Sequence, residues 1–414
     1  MLVGCCLLQG GSMGMVNNVR GVFYTPVTSA LGFGIGAFTL SLTISGICSC
    51  LLLPVVGRIF DRVDSRLLLG GCSFCFSGTV IGMGFLRSLT GFYVLGVLQG
   101  LFATFLMFFT APFILGNWFK KRSGFAIGLC SAFSGLIGIA FNPIINSVIQ
   151  HLGWQWGYYV EGGLSFLMMF PVSVFLLRVR PSAVGLEPYG AEEMGEPGHA
   201  PGPQALLGVE SSLVRRSFGY WALVVAAFFC SGIGNFNSYL SPMSIQWGYG
   251  ASVGAAMISI SMAGNVISKF CLGPIYDRWG VERALTFGFA VVTLGLVMLL
   301  IPAKEIRLAG SFFYGFIMGV ANIMPSITVK DVYGLRCYGD ILSYPTLAVS
   351  LGSASVLALV GLLIDAVGPE KGYMLCLRFA LVIIVLAVIC YTLAIRNGRA
   401  LYRRHAESEV TVSR

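Results

Sequence analysis

The chain has 414 residues, 56% of them hydrophobic and 10% charged, with a mean hydropathy of +0.84. Soluble domains carry about 25% charged residues, so this composition excludes a soluble globular enzyme. The formal net charge of +9 does not form a nucleic-acid surface: Lys and Arg sit in short clusters between apolar runs, the pattern of a positive-inside membrane protein.

Twelve apolar segments follow one another near 2–25, 34–56, 67–86, 91–115, 124–148, 157–179, 218–240, 251–272, 284–302, 308–329, 340–363 and 372–396. Roughly 20 apolar residues make one bilayer crossing, so each is long enough to span. Backbone polar groups in lipid must be satisfied within the segment, so each is predicted helical. The internal prolines Pro54, Pro112, Pro143, Pro171, Pro325 and Pro345 are expected at kinks. The abundance of glycine, 54 residues, suits close helix packing in a membrane. The twelve cysteines lie mostly inside apolar runs and read as small packing residues, not metal ligands or disulfides.

Topology follows from the basic residues. The loops after helices 2, 4, 6, 8 and 10 hold Arg58, Arg62, Arg66, Lys120, Lys121, Arg122, Arg178, Arg180, Arg215, Arg216, Arg278, Arg283, Lys330 and Arg336. The C-terminal tail adds Arg396, Arg399, Arg403, Arg404 and Arg414, and the opposite side has five: Arg87, Lys304, Arg307, Lys371 and Arg378. This asymmetry places both termini in the cytoplasm of a multi-pass protein in the cell membrane.

One long hydrophilic stretch, 181–217, is rich in Pro, Gly and Glu. It cannot bury a core and reads as a cytoplasmic linker. It separates an N-terminal six-helix bundle (1–180) from a C-terminal one (218–396), which is followed by a cytoplasmic tail (397–414). The halves repeat. Pro26, Gly32, Gly34, Gly57, Asp61 and Arg62 recur as Pro242, Gly248, Gly250, Gly273, Asp277 and Arg278, each 216 positions later. The expected fold is all-α and integral to the membrane, with twelve helices in two parallel six-helix repeats. In that plan the substrate site lies between the halves near the midplane.

The turn after helix 2 reads Gly57-Arg58-Ile59-Phe60-Asp61-Arg62, and that after helix 8 reads Gly273-Pro274-Ile275-Tyr276-Asp277-Arg278-Trp279-Gly280. These resemble the G-x-x-x-D-R-x-G-x-[RK] signature of the major facilitator superfamily. The first copy departs from it with Asp64 in place of the second Gly. Glycine permits close helix approach. The aspartate can accept hydrogen bonds from a neighbouring helix N-terminus or pair with Arg. Gly57, Asp61, Arg62, Gly273, Asp277 and Arg278 are therefore the expected cytoplasmic gate. The stretch Asn117-Trp118-Phe119-Lys120-Lys121-Arg122-Ser123-Gly124-Phe125-Ala126-Ile127-Gly128 and the turn Gly153-Trp154-Gln155-Trp156 are similar to the monocarboxylate and oxalate–formate branch of that superfamily.

The resemblance implies a carboxylate-binding cation on helix 8, eight residues before the motif aspartate, where this chain has Lys269. A cation at membrane depth is costly and usually faces a cavity, with the alternative that Lys269, eight residues from the motif aspartate, snorkels to the cytoplasmic interface. Lys offers a point charge without the bidentate fork of Arg. Asn265, one turn earlier on the same face, stands where proton-coupled relatives can carry a titratable Asp. On helix 11, Pro345 occupies the place of the lysine that oxalate–formate antiporters carry, which argues for a monocarboxylate-sized anion. Arg20 is a second intramembrane cation, on helix 1, with the alternative that it reaches the outer interface. Helix 7, with Asn235, is expected to face it. Tyr344 completes the expected substrate contacts.

The reading is a secondary active transporter of a small organic anion, working by alternating access, with Lys269, Arg20, Asn265, Asn235 and Tyr344 at the substrate. Exchange or diffusion-like flux is favoured over strict proton symport. The expected partners are the anion and the bilayer, with no nucleic acid, and the chain is expected to be monomeric. No cofactor or metal is expected: no metal-ligand spacing, Ser/His/Asp arrangement or phosphate-binding loop is present. The competing readings are a carrier of neutral or cationic compounds, as in efflux, and a non-transporting sensor on the same scaffold. A cation carrier needs a membrane-embedded carboxylate, and Glu161, Asp340 and Asp365 all fall near predicted helix ends.

Overall fold

The computed structural model describes residues 1–119, 123–179, 181, 185–187, 189, 209–334 and 337–412. Lys120, Lys121, Arg122, Arg180, Arg336 and the linker residues 190–208 lie outside the described residues, as do the side chains of Asp61 and Arg62 and the surroundings of Gly57. The described chain is almost wholly helical, with one isolated β-bridge between Phe119 and Tyr189.

Ten helices among the described residues are long and apolar enough to cross a membrane. One of them, Ala251–Leu300, is two helices joined at Gly280, whose φ of 81° no helix contains. A further helix, built of four short pieces between residues 2 and 31, is less apolar because Gln9, Asn17, Asn18 and Arg20 interrupt it. Among the described residues twelve long helices result, besides the short helix Ser211–Arg216. They are α1 (2–31), α2 (Ile35–Arg62), α3 (Ser65–Met83), α4 (89–118), α5 (Ser123–Leu152) and α6 (154–176), then α7 (218–246), α8 (251–279), α9 (281–300), α10 (Lys304–Tyr333), α11 (Tyr338–Val367) and α12 (Pro369–Val412). Helix α12 runs on through the stretch expected as a tail, ending at Val412.

The departure at Asp64 has a local cause. Asp64 takes an extended backbone (φ −57°, ψ 123°) and its carboxylate accepts the Arg66 N–H at 2.9 Å, capping α3. Its repeat counterpart 216 positions on is Gly280, which turns through left-handed backbone instead. An N-cap side chain and a glycine turn are two ways of starting a helix after a sharp corner.

Two prolines create acceptors that neighbouring helices use. A proline inside a helix frees the carbonyl four residues earlier. Pro143 frees that of Ile139, which accepts from Ser259 Oγ of α8 at 3.0 Å. Pro345 frees that of Ile341, which accepts from the Tyr220 hydroxyl of α7 at 2.8 Å. Close approach is carried by small residues, as membrane packing favours. Gly100 of α4 sits against the Ser45 backbone of α2, and its carbonyl accepts from Ser49 Oγ at 2.7 Å.

The chain divides into two compact units. One comprises Met1–Ala200, Phe236–Val266 and Leu357–Tyr373; the other comprises Pro201–Asn235, Ile267–Val356 and Met374–Arg414. The first unit thus holds the N-terminal six helices and one end each of α7, α8, α11 and α12.

Candidate substrate and gating residues

The first unit is organised around α1, whose backbone is irregular throughout. Its α-helical start, Leu2–Gln9, widens to a π segment over Gly10–Asn17 and tightens to a 3-10 turn over Arg20–Phe23. Such segments mark functional hinges. Glycines make the irregular stretch fit. Gly11 packs on Met169 and the Ser165 carbonyl of α6, and Gly14 on the Ser134 carbonyl of α5. Polar contacts pin it there. Ser165 Oγ donates to the Gly11 carbonyl at 2.8 Å, Asn18 Nδ2 to the Ser134 carbonyl at 3.2 Å, and Asn142 Nδ2 to the Asn18 carbonyl at 3.4 Å.

Arg20 stands at the first residue of the 3-10 turn and is half-buried. Its Nε donates to the Asn17 carbonyl at 2.9 Å. Arg20 lies within electrostatic reach of Tyr24 on its own helix and of Glu161 on α6. Glu161 is two turns into α6 and only 2% exposed, and its buried Oε1 accepts no hydrogen bond among the described residues. Around the carboxyl the packing is aromatic. Phe23 stacks on Tyr158 at 4.1 Å between centroids, and Tyr24 meets Tyr239 of α7 edge-on at 5.4 Å. Helix α1 does face α7, as the sequence suggested: Gly21 lies against the Ser238 carbonyl. Asn235, at the last α-helical residue before the 3-10 turn Phe236–Tyr239, belongs to the second unit and is half-buried.

Within the first unit the start of α2 is held by α7 and α11. Asp365 of α11 accepts the backbone N–H of Ile35 at 3.0 Å and of Gly36 at 2.8 Å, capping the start of α2. A carboxylate there satisfies two orphan donors and meets the positive end of the helix dipole. Gly361 of α11 touches Gly36, an approach open only to residues without side chains. The Tyr239 hydroxyl donates to the Leu357 carbonyl and lies 3.3 Å from Thr39 Oγ1.

In the second unit Lys269 is half-buried on α8, directly after Ser268, which packs against Gly319 of α10. Asn265, one turn earlier on the helix, is 7% exposed and belongs to the first unit. Tyr344 is 39% exposed. Its ring contacts Trp221 at 5.8 Å and lies under the Arg215 guanidinium at 5.3 Å. Asp277 and Arg278 are exposed at the end of α8, and Gly273 is half-buried. In the same unit Arg399 of α12 bridges Glu282 at 2.7 Å and Asp331 at 3.1 Å, tying α12 to α9 and α10. Sequence reasoning did not single out this triad, because its members are distant in sequence and each looks like an ordinary loop charge. It also did not join Glu161 to Arg20. The available signal was a lone acid, Glu161, in an otherwise apolar run.

A sequence profile described as Major Facilitator Superfamily matches residues 5–356. The chain belongs to the Major Facilitator Superfamily. It is a multi-pass membrane transporter and not an enzyme. Similar major facilitator proteins include "MFS transporter asaE" of Aspergillus flavus, 20% identical over 90% of this chain and 81% of that protein. Another is "Monocarboxylate transporter 12" of Rattus norvegicus, 22% identical over 81% of this chain and 73% of the relative. Among solved structures, a bacterial homologue of the human lysosomal transporter Spinster superposes with a TM-score of 0.67, covering 96% of each chain at 13% identity. This last likeness concerns the major facilitator fold alone.

Proposed function

We propose that the protein carries a small organic anion of the monocarboxylate type by alternating access, with Lys269 and Arg20 as the cations that recognise the carboxylate. The observation that carries this reading is Arg20: a cation held at a break in α1, among buried aromatic side chains and apart from any loop. Cations held at membrane depth mark substrate pathways. The likeness to a monocarboxylate transporter supports the same class of substrate. The repeated turns, Gly57, Asp61, Arg62 and Gly273, Asp277, Arg278, gate the cytoplasmic side, with both termini cytoplasmic. At the other end, Asp365 holds α2 and α11 together and must let go when that side opens.

The test is counterflow of radiolabelled monocarboxylates into proteoliposomes. Lys269→Ala and Lys269→Gln are expected to abolish exchange, because shape without charge does not offset desolvating a carboxylate. Lys269→Arg is expected to keep partial activity, since the charge persists with altered geometry. Near wild-type exchange by Lys269→Ala would reduce that lysine to an interfacial anchor and leave Arg20 alone as the recognising charge.

A further inference from the structure

We infer that the groove between α9 and α12 binds one anionic phospholipid of the cytoplasmic leaflet, with its phosphate at Arg396 and an acyl chain along the groove. Only the naming of the leaflet rests on the topology proposed above. None of the residues proposed for anion recognition or gating lines this groove.

The groove follows from a difference between the repeats. Helix α9 repeats α3 at 216 positions, as Gly280 repeats Asp64. Helix α12 repeats α6 at 215. Gly153 and Gly368 both take left-handed backbone, at φ 95° and 90°, and their N–H groups reach back to the Ile149 and Ile364 carbonyls at 3.0 and 2.9 Å. In the first unit α3 and α6 close on each other. Gly70 lies against Val174, Ser73 Oγ meets Ser173 Oγ at 3.0 Å, and Phe74 packs on Phe166 and Phe170 with centroids at 6.1 and 6.5 Å. The second unit has Ala290 in the place of Phe74, and Leu381 and Val385 in those of Phe166 and Phe170. The three rings of that cluster are gone, and a cavity of about 580 Å³ opens between α9 and α12.

The walls suit hydrocarbon. Phe289 and Tyr391, both buried and in ring contact at 5.8 Å, form the floor. Thr286, Thr293 and Thr392 line the sides, and each hydroxyl donates within its own helix, to the Glu282, Phe289 and Val388 carbonyls at 2.9, 2.7 and 2.8 Å. With those protons committed, the threonines offer the groove their methyl groups. The Tyr391 hydroxyl is buried within electrostatic reach of Cys230 on α7. From Glu282 to Thr293 the groove follows α9 for about 16 Å at roughly 1.5 Å per residue. One leaflet's hydrocarbon is about 15 Å deep, whereas a partner helix crosses both leaflets and needs twice that length. The mouth carries a cation. Glu282 is held by Arg399 at 2.7 Å, while Arg396, exposed on the same rim, pairs with no acid among the described residues. An arginine fork matches a phosphate, and basic residues at the cytoplasmic surface attract anionic lipid.

The test uses the full-length protein in phosphatidylcholine vesicles containing a trace of phosphatidylglycerol with a diazirine midway along one chain. After illumination, labelled peptides are mapped by mass spectrometry. Labelling should concentrate on residues 282–293 and 388–396 and be displaced by unlabelled phosphatidylglycerol. Ala290→Phe restores the ring that the first unit has at Phe74 and should abolish labelling of the groove. Ala290→Leu, a smaller plug, should do the same if the Phe variant does not fold. Arg396→Ala should raise the phosphatidylglycerol needed for displacement about fivefold, the worth of one basic residue at an anionic lipid surface. Labelling spread evenly over α3, α6, α9 and α12 would show ordinary bilayer contact only. Full labelling in both Ala290 variants would place the lipid outside the groove, and unchanged displacement in Arg396→Ala would overturn the headgroup assignment. A wild-type groove left unlabelled would overturn the lipid and give the groove to another occupant, such as a helix of a second copy. None of these readouts involves transport, so this inference and the anion reading fail separately.

Discussion

At residues 20–23 helix α1 narrows into a 3-10 turn, and at residues 236–239, 216 positions later, α7 does the same. Both helices then resume α geometry and end on a left-handed glycine, Gly32 at φ 70° and Gly248 at φ 79°. The side chains at the two breaks differ completely. Where α1 has Arg20 and Tyr24, α7 has Phe236 and Leu240, each buried. The shared break therefore does not need a charge to form it; it is inherited with the duplicated backbone. The charge stands at one copy only and is no part of the shared frame.

The largest effect expected from this comparison is at the charged break. Arg20→Ala removes the cation held by the Asn17 carbonyl at the break, and transport should fall at least about a hundredfold if that charge recognises the anion. Phe236→Ala, at the matching place in α7, should cost roughly 3–5 kcal/mol of stability as a large-to-small core change. The protein that remains folded should still exchange substrate. Thermal melting and counterflow on both variants separate the two outcomes. Loss of transport in folded Phe236→Ala equal to that in Arg20→Ala would mean the break itself, not its charge, does the work.

A smaller effect is expected where α2 begins. Asp365→Ala removes a capping carboxylate from two backbone donors, a change worth about 1–2 kcal/mol. Amide exchange at Ile35 and Gly36 should speed roughly tenfold, while the matching start of α8 near Ala251 stays unchanged. Equal protection at Ile35 and Gly36 in both proteins would show that the cap adds nothing to closure. The smallest expected effects are at the proline carbonyls. Ser259→Ala and Tyr220→Phe each remove one donor, from Ile139 and Ile341 respectively. Each should lower stability by about 1 kcal/mol, seen as a modest drop in melting temperature with transport retained.

Much of the fold was legible before any coordinates, because bilayer thickness fixes helix length and lipid forbids unsatisfied backbone. The 216-residue repeat was legible too, since glycine, proline and the Asp-Arg pair recur in register. Helix ends were less so: α2 runs through Asp61 and Arg62, which the hydropathy pattern assigned to a loop. Charged residues at a helix end look like loop to any scale that measures only apolarity. The candidate site was half legible. Arg20 and Lys269 stand out as cations in apolar runs, but no spacing rule links Arg20 to Glu161 across 141 positions. Nor does any local pattern tell Asp365, which caps a distant helix, from an ordinary terminal acid. Such pairings exist only once helices pack.

The central claim is that a carboxylate is the cargo, and counterflow by the wild-type protein tests it most directly. Proteoliposomes preloaded with unlabelled monocarboxylate should take up the labelled form, other small carboxylates should compete, and nucleosides and cationic amphiphiles should not. Exchange of a neutral or cationic compound that ignores added carboxylate would contradict the account and put the neutral or cationic carrier in its place.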